Sequence, residues 1–204
     1  LAWGCAVDPA TGDLAVTNFN TGSYSAGGPG DVAIYQDAKG RPKTYSDPHI
    51  DFYYWCAYDS QGDLFVDGSN SSRNHAYPFG LLPKGATSFE DVTLDKKITP
   101  GSLQWLGSDL IVANDKSIVG SERLYRVSFS GSKGTVVGST ALASRQNMNS
   151  WGGEYVVSGD NVVGPSYPRR FVSVWSYPKG GEAHRYVGRK GVNEFFGVAV
   201  SASP

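Results

Sequence analysis

An excess of charge of either sign is missing from this chain. Lys and Arg number 18 against 19 Asp and Glu in 204 residues, a formal net charge of −1. Without a basic field, neither nucleic acid nor anionic lipid is an expected partner. No apolar run approaches the roughly 20 residues that span a bilayer, so no membrane span is expected. No basic-then-apolar leader opens the sequence. The first residue is Leu1 and not Met, and the expectation is a processed chain, such as one that has lost a signal peptide, or an incomplete one. No stretch repeats with a 3.6-residue period, so little or no helix is expected. Cysteine occurs only twice and no nearby His completes a tetrahedral set, so no metal and no cofactor are expected. A Ser-centred nucleophile elbow, a Gly-rich phosphate loop and a paired His–Cys motif are all lacking.

Glycine and tyrosine are plentiful, at 26 and 12 residues, while charged residues reach only 18%. That balance resembles an extracellular β protein more than a cytosolic helical one. A sentence also returns along the chain. Trp3-Gly-Cys5-Ala-Val-Asp8-Pro-Ala-Thr-Gly12-Asp-Leu-Ala-Val16 reappears as Trp55-Cys56-Ala-Tyr-Asp59-Ser-Gln-Gly62-Asp-Leu-Phe-Val66. A weaker copy runs Ser102-Leu-Gln-Trp105-Leu-Gly107-Ser-Asp109-Leu-Ile-Val112. A period of about 45–50 residues made of β-type units indicates a propeller or a related array.

Each unit divides into four short strands, A to D. The first reads 3–7, 13–17, 31–35 and 42–45; the second 54–58, 63–67, 77–82 and 89–94. The third reads 102–106, 110–113, 124–129 and 135–138; the fourth 154–158, 161–164, 171–177 and 184–187. Pro83-Lys-Gly85 and Pro178-Lys-Gly180 follow strand C in the second and fourth units and fix their register. Residues 196–201, Phe-Gly-Val-Ala-Val-Ser, read as one more strand A. The expected fold is therefore an all-β propeller with four recognisable four-stranded blades, near 1–50, 51–99, 100–146 and 147–190. An extra inner strand lies in 191–204, and the whole forms one domain. An unclosed last strand implies a parent of six blades; a closed ring of four, or five with an irregular last blade, are the alternatives.

Cys5 and Cys56 occupy the same place in successive units, on inner strands where blades converge. There Cα atoms can approach the roughly 4.4–6.8 Å that a disulfide needs. A Cys5–Cys56 disulfide, and with it a place outside the cytosol, is expected; two buried free thiols are the alternative.

The pattern Gly-x-Ala-Val-Asp-x-x-x-Gly-x-Leu-x-Val, carried best by residues 5–16 and 56–66, resembles the NHL-repeat and SMP-30-like group of β-propellers. With its two strand-A cysteines and Leu-Pro-Lys-Gly after a strand C, the chain is similar to uncharacterised secreted bacterial NHL-repeat proteins. The resemblance implies a propeller outside the cytosol or in the cell envelope. It leaves activity open, because relatives include binding scaffolds, lactonases and lyases. Lactonase-like members hold a divalent cation with a Glu, two Asn and an Asp. Asn114 and Asp160 lie near strand ends, but Glu90, Glu122, Glu154, Glu182 and Glu194 fall mostly on outer strands or loops and complete no such set.

In this architecture the A–B and C–D turns share one end of the sheets, and the B–C and D–A loops share the other. The A–B turns are short and alike, and Asp8 and Asp59 open them as hydrogen-bond acceptors for turn amides. The B–C loops are long and unalike, which is where binding usually resides. With the D–A links they carry Phe19, Tyr24, Phe52, Tyr53, Tyr77, Tyr167 and Phe195, with Arg73, His75, Arg169 and Arg170. Of these, Tyr24, Phe52, Tyr53, Arg73, His75, Tyr77, Tyr167, Arg169 and Arg170 are the candidate ligand-binding residues. Aromatic faces suit sugar rings or extended peptides; packing between blades is the competing role. Trp3, Trp55, Trp105 and Trp151 are expected to pack as core. Asn70-Ser-Ser72 fits a glycosylation sequon, a triplet that also arises by chance.

Three functions compete. The leading one is a secreted or envelope scaffold that binds a glycan, peptide or protein through its loop end, without catalysis. The second is a lactonase- or lyase-type enzyme at the central channel. The third is a structural protein that self-associates through open sheet edges.

Overall fold

The structure is a computed structural model that describes residues 1–21, 28–71, 77–114, 122–143, 153–166, 171–188 and 197–201. The chain folds as four antiparallel meanders. The first contains β1 (Ala2–Val7), β2 (Leu14–Asn18), β3 (Asp31–Tyr35) and β4 (Lys43–Tyr45). The second contains β5 (Phe52–Tyr58), β6 (Leu64–Ser69), β7 (Phe79–Leu82) and β8 (Glu90–Leu94). The third contains β9 (Leu103–Leu106), β10 (Asp109–Asn114), β11 (Arg123–Ser130) and β12 (Lys133–Ala143). The fourth contains β13 (Val156–Ser158), β14 (Asn161–Ser166), β15 (Phe171–Ser176) and β17 (Arg185–Gly188). Between the last two strands, β16 (Gly181–Glu182) pairs in parallel with β12. Among the described residues there is no α-helix, only a 3-10 turn at Gln36–Ala38. The described residues hold no helix long and apolar enough to cross a membrane.

Most strands differ from expectation by a residue or two at an end, β12 by more; β12, β5 and β7 show why. β12 runs through Lys133–Ala143, well past 135–138, because it has partners all along: β11 beside it, β8 near one end and β16 near the other. β5 starts two residues early, at Phe52, because Phe52 and Tyr53 pair with Ser69 and Gly68. β7 starts at Phe79, two residues late. Of the expected closing strand, residues 197–201 are described and are not in a strand; the rest lies outside the described residues.

The meanders stack face to face, and their first strands neighbour one another in the order β1, β5, β9, β13. Period-2 alternation sends successive side chains to opposite faces. Cys56 therefore packs with Ala15, Val32, Leu64 and Val66 between the first and second sheets. Ala57, the next residue, packs with Phe65, Leu110 and Val112 between the second and third. A third core joins Ile111 and Leu124 to Val162 and the fully buried Trp175. Trp175 also donates its indole N–H to the Ala143 carbonyl at 2.8 Å. Each such interface removes apolar area from water at about 25 cal/mol per Å².

The expected disulfide is absent: Cys5 and Cys56 are both free, Cys5 exposed and Cys56 buried. The reason is the alternation just described. Equivalent residues on successive sheets point the same way, so Cys56 faces the first sheet while Cys5 faces away from the second. Ala6, the counterpart of Ala57, is the residue that faces the second sheet's core. The thiols are still near enough that negative charge on Cys5 adds to the effect of burial in pushing the Cys56 pKa up.

Both β1 and β5 carry a bulge, between Ala2 and Cys5 and between Tyr53 and Cys56. Cys5 pairs with Val16 as Cys56 pairs with Val66. This fixes the repeat register: Trp3 corresponds to Tyr54, and Gly4 to Trp55. Gly4 is needed there, since a Cβ would lie 2.7 Å from the Tyr54 carbonyl oxygen.

Buried polar groups tie the sheets together near the first strands. The Thr17 hydroxyl accepts from the Gly4 amide at 2.8 Å and lies 2.7 Å from the Tyr54 carbonyl, to which it donates. Asp67, at the same place in the next unit, accepts from Trp55 N and from Gly101 N, both at 2.9 Å. Ser102 and Gln104 accept from Tyr155 N and Val157 N on the fourth meander at 2.9 and 2.7 Å. The A–B turns follow the sequence reading. Asp8 accepts from Ala10 N, and Asp59 from Gln61 N and Asp63 N. Gly12 and Gly62 take φ of 80° and 86°, which favours glycine. Asp13 and Asp63 then each accept from a C–D turn amide, Asp37 N and Lys84 N.

Candidate functional site

At the loop end of the first two meanders, aromatic side chains form a row. Phe19 stacks on Phe52 with centroids 4.7 Å apart, and it lies 5.4 Å from Trp3 and 5.6 Å from Tyr54. Trp3 meets Tyr54 edge-on at 5.8 Å. The bulges place the row, because they turn Trp3 and its counterpart Tyr54 out of the sheet packing. Trp3 is 40% exposed, and Phe19, Phe52 and Tyr54 are half-buried. Trp3 was expected in the core; it is the most open member of the row. Trp55 is buried as expected, Trp105 is half-buried against Phe65 and Phe129, and Trp151 lies outside the described residues.

The backbone beneath the row is held by the link from β4 to β5. Gly30 N donates to Asp51 O at 2.6 Å, and Asp51 N to Ser69 O at 2.9 Å. The Asp51 carboxylate accepts from the Ser71 amide and hydroxyl at 2.8 and 2.7 Å. Asn70 is buried and donates its side-chain amide to His49 O at 2.9 Å. The buried Asn70 side chain thus ties the β6 end to the link through a backbone carbonyl.

Of the candidate binding residues, Phe52 joins the row. Tyr53 does not: it is fully buried in the core between the first two sheets. It follows Phe52 on a strand and points to the opposite face. Its hydroxyl accepts from the Asp47 amide at 2.5 Å, and burial pushes the phenol's pKa up. Tyr77 is 36% exposed and lines another hollow of about 240 Å³ with Phe79, Val92 and Leu94. Lys97 stands 5.9 Å from its ring centroid. Tyr24, Arg73, His75, Tyr167, Arg169 and Arg170 lie outside the described residues, as does Phe195.

Asp47 and His49, two residues apart in the link, meet the distant Asp91 there. His49 Nδ1 lies 2.7 Å from Asp91 Oδ1 and 3.6 Å from Asp47 Oδ1. Their ligand atoms fall within 4.8 Å of one another, so this trio could hold a cation. It already forms a histidine–carboxylate pair, with the buried Asp47 also accepting the His49 amide at 2.7 Å. No sequence spacing marks it, since Asp91 comes from the outer strand β8.

Glu154, expected to open the first strand of the fourth unit, stands just outside it. It lies just before β13, a first strand, and its charge reaches the Cys56 thiol. Burial pushes its pKa above the usual carboxylate value. Asn114 supplies no open ligand: its Oδ1 accepts from the Thr99 amide and hydroxyl at 2.9 and 2.8 Å.

No protein-family model and no curated protein matches the chain. Solved structures do. A glutaminyl cyclase of Myxococcus xanthus is 11% identical with a TM-score of 0.61, over 92% of this chain and 70% of that one. A nidogen/laminin complex matches at 10% identity and a TM-score of 0.58, over 96% and 83%. The WD40 β-propeller domain of Doa1 matches at 13% and 0.55, over 95% of this chain and 56% of that one. At such identities the likeness shows fold alone. It agrees with the stacked four-stranded meanders: the chain has a β-propeller-type fold.

Proposed function

We propose that this protein is a non-catalytic binding scaffold that takes a glycan through the aromatic row at its loop end. The observation that carries the reading is the row itself, four contacting rings built by two successive meanders with Trp3 open to solvent. Flat apolar faces with polar edges suit sugar rings, and extended peptides use the same surface chemistry. The regular hydrogen-bonded link beneath the row would hold it rigid for a ligand. The low charge and the wealth of Gly and Tyr favour a secreted or envelope location. Fluorescence titration of the intact protein with neutral oligosaccharides tests the reading. Trp3→Ala combined with Phe52→Ala should weaken the tightest binder by at least about tenfold, roughly 1.4 kcal/mol. Unchanged affinity in that double variant would overturn it.

One observation favours a catalytic alternative. Glu154, half-buried beside Gly197, is kept protonated to higher pH than a free carboxyl, as a general acid needs. Ester or lactone hydrolysis abolished by Glu154→Gln would promote this alternative over the scaffold.

A further inference from the structure

The end of the sheets with short, regular turns holds a cleft larger than the hollow beside Tyr77. Between the first and second meanders a cavity of about 310 Å³ opens among the A–B and C–D turns. This is at the lower edge of the roughly 300–1,000 Å³ usual for small-molecule sites. Ile34, Leu64 and Leu82 form part of its wall, with the rings of Tyr45 and Tyr58. Arg41, Lys43 and Lys84 bring positive charge to it, and Asp8 and Asp13 negative charge.

These groups differ in what is already committed. Asp8 accepts from Ala10 N and from the Thr11 hydroxyl, both at 2.8 Å. Asp13 accepts from Asp37 N at 3.0 Å and from no cation. Among the described residues, Arg41, Lys43 and Lys84 have no carboxylate within ion-pair distance, and the Tyr45 and Tyr58 hydroxyls have no hydrogen-bond partner. The cleft's groups without an ion-pair or hydrogen-bond partner are three cations and two phenols, which can donate, and one oxygen of Asp13, which accepts; the cations outnumber the cleft's two carboxylates. Lys84 leans over Gly62: a Cβ there would meet Lys84 Nζ at 3.3 Å and Asp8 Oδ2 at 3.1 Å. The ammonium thus lies at the cleft wall.

We propose that this cleft binds a small organic anion, a sugar carrying a carboxylate or phosphate. The charged group is taken by Arg41 and Lys84, and the ring lies along Tyr45 and Tyr58. Arginine and lysine supply charge-assisted donors for either anion. The tyrosines supply a flat wall and hydroxyls for the sugar's own oxygens. The site lies at the opposite end of the sheets from the aromatic row, so either can fail without the other.

Calorimetric titration of the intact chain at low salt separates the outcomes. Galacturonate, glucose 6-phosphate and uncharged glucose serve as probes. Binding of one or both anions, at least about tenfold tighter than glucose, supports the proposal. Binding of galacturonate alone assigns a carboxylate ligand, and binding of glucose 6-phosphate alone a phosphate. Arg41→Gln and Lys84→Gln should each weaken anion binding about tenfold. Lys84→Arg should keep most of it, and Lys133→Gln, outside the cleft, should change nothing. Circular dichroism confirms that each variant is folded. Equal affinity for glucose, no anion binding up to millimolar concentration, or full affinity in both folded Gln variants would overturn the proposal.

Discussion

The first and second meanders carry the same sequence motif and turn it to different ends. Cys5 and Cys56 pair with equivalent valines and point the same way, yet one is exposed and the other buried. Val7 is 57% exposed, whereas its counterpart Tyr58 lines the cleft between the sheets. Thr17 and Asp67 occupy one position and perform one task with different chemistry. The hydroxyl both accepts and donates, while the carboxylate accepts from two amides. A repeat motif therefore specifies direction and register. Burial depends on whether another sheet stands on the face that the motif addresses.

The sharpest way to break the comparison is to cut the tryptophans. Trp55→Ala opens a cavity in packed surroundings and should lower stability by about 3–5 kcal/mol in urea denaturation. Trp3→Ala removes a half-solvated ring and should lower it by no more than about 1 kcal/mol. Equal losses would contradict the assignment of Trp3 to a surface row.

The polar ties should rank next. Asp67→Ala leaves the buried Trp55 and Gly101 amides without their acceptor and should lower stability by about 3 kcal/mol. Thr17→Ala, with one amide orphaned, should lower it by about 1–2 kcal/mol. A loss at Asp67 below that at Thr17 would break the parallel between the two positions.

The smallest effects are in the pH dependence. Burial alone would raise the Asp8 pKa, but hydrogen bonds from Ala10 and Thr11 and the charge of Lys84 outweigh it and hold it below 3.8. A depressed carboxyl stabilises the fold above its unfolded pKa, and that stability is lost as pH falls through the folded pKa. Asp8→Asn should therefore shrink the acid-limb loss of stability below about pH 4. Glu154 has the opposite sign, with a folded pKa raised above 4.5 by burial. Its stabilising share is present at low pH and lost as pH rises through the folded value. Glu154→Gln should raise stability at pH 7 and leave it little changed near pH 3. Stability curves against pH that coincide with those of the unaltered protein would remove both assignments.

Much of the fold was legible in the chain because its signals are local. Gly12-Asp13 and Gly62-Asp63 mark a turn that needs positive φ followed by an acceptor for the neighbouring turn. Pro83-Lys-Gly85 marks another, closed by Ala86 N donating to Pro83 O. The bulges were not legible. Trp3 stands two residues before Cys5 and Trp55 one before Cys56, so matching the tryptophans hid the register in which Trp3 answers to Tyr54, and the most open ring of the row was read as core. The cysteine pairing failed for a related reason: sequence position in a repeat carries no sign for which face lacks a neighbour. The His49–Asp47–Asp91 trio and the cleft around Lys84 join residues from different strands or meanders, and spacing along one chain does not announce either. Phe52 was found because it lies on a link between meanders, and Tyr53 beside it was misplaced because strand alternation buries every second residue.

The account rests on like residues of successive sheets facing the same way, and thiol labelling of the native protein without reductant tests this most directly. Mass spectrometry after brief exposure to a maleimide should show one label, on Cys5, with Cys56 reacting only after unfolding. No label until a reductant is added would mean that the two sulfurs are bonded. Rapid labelling of both would mean that Cys56 is not packed between the sheets, and either result would contradict the account.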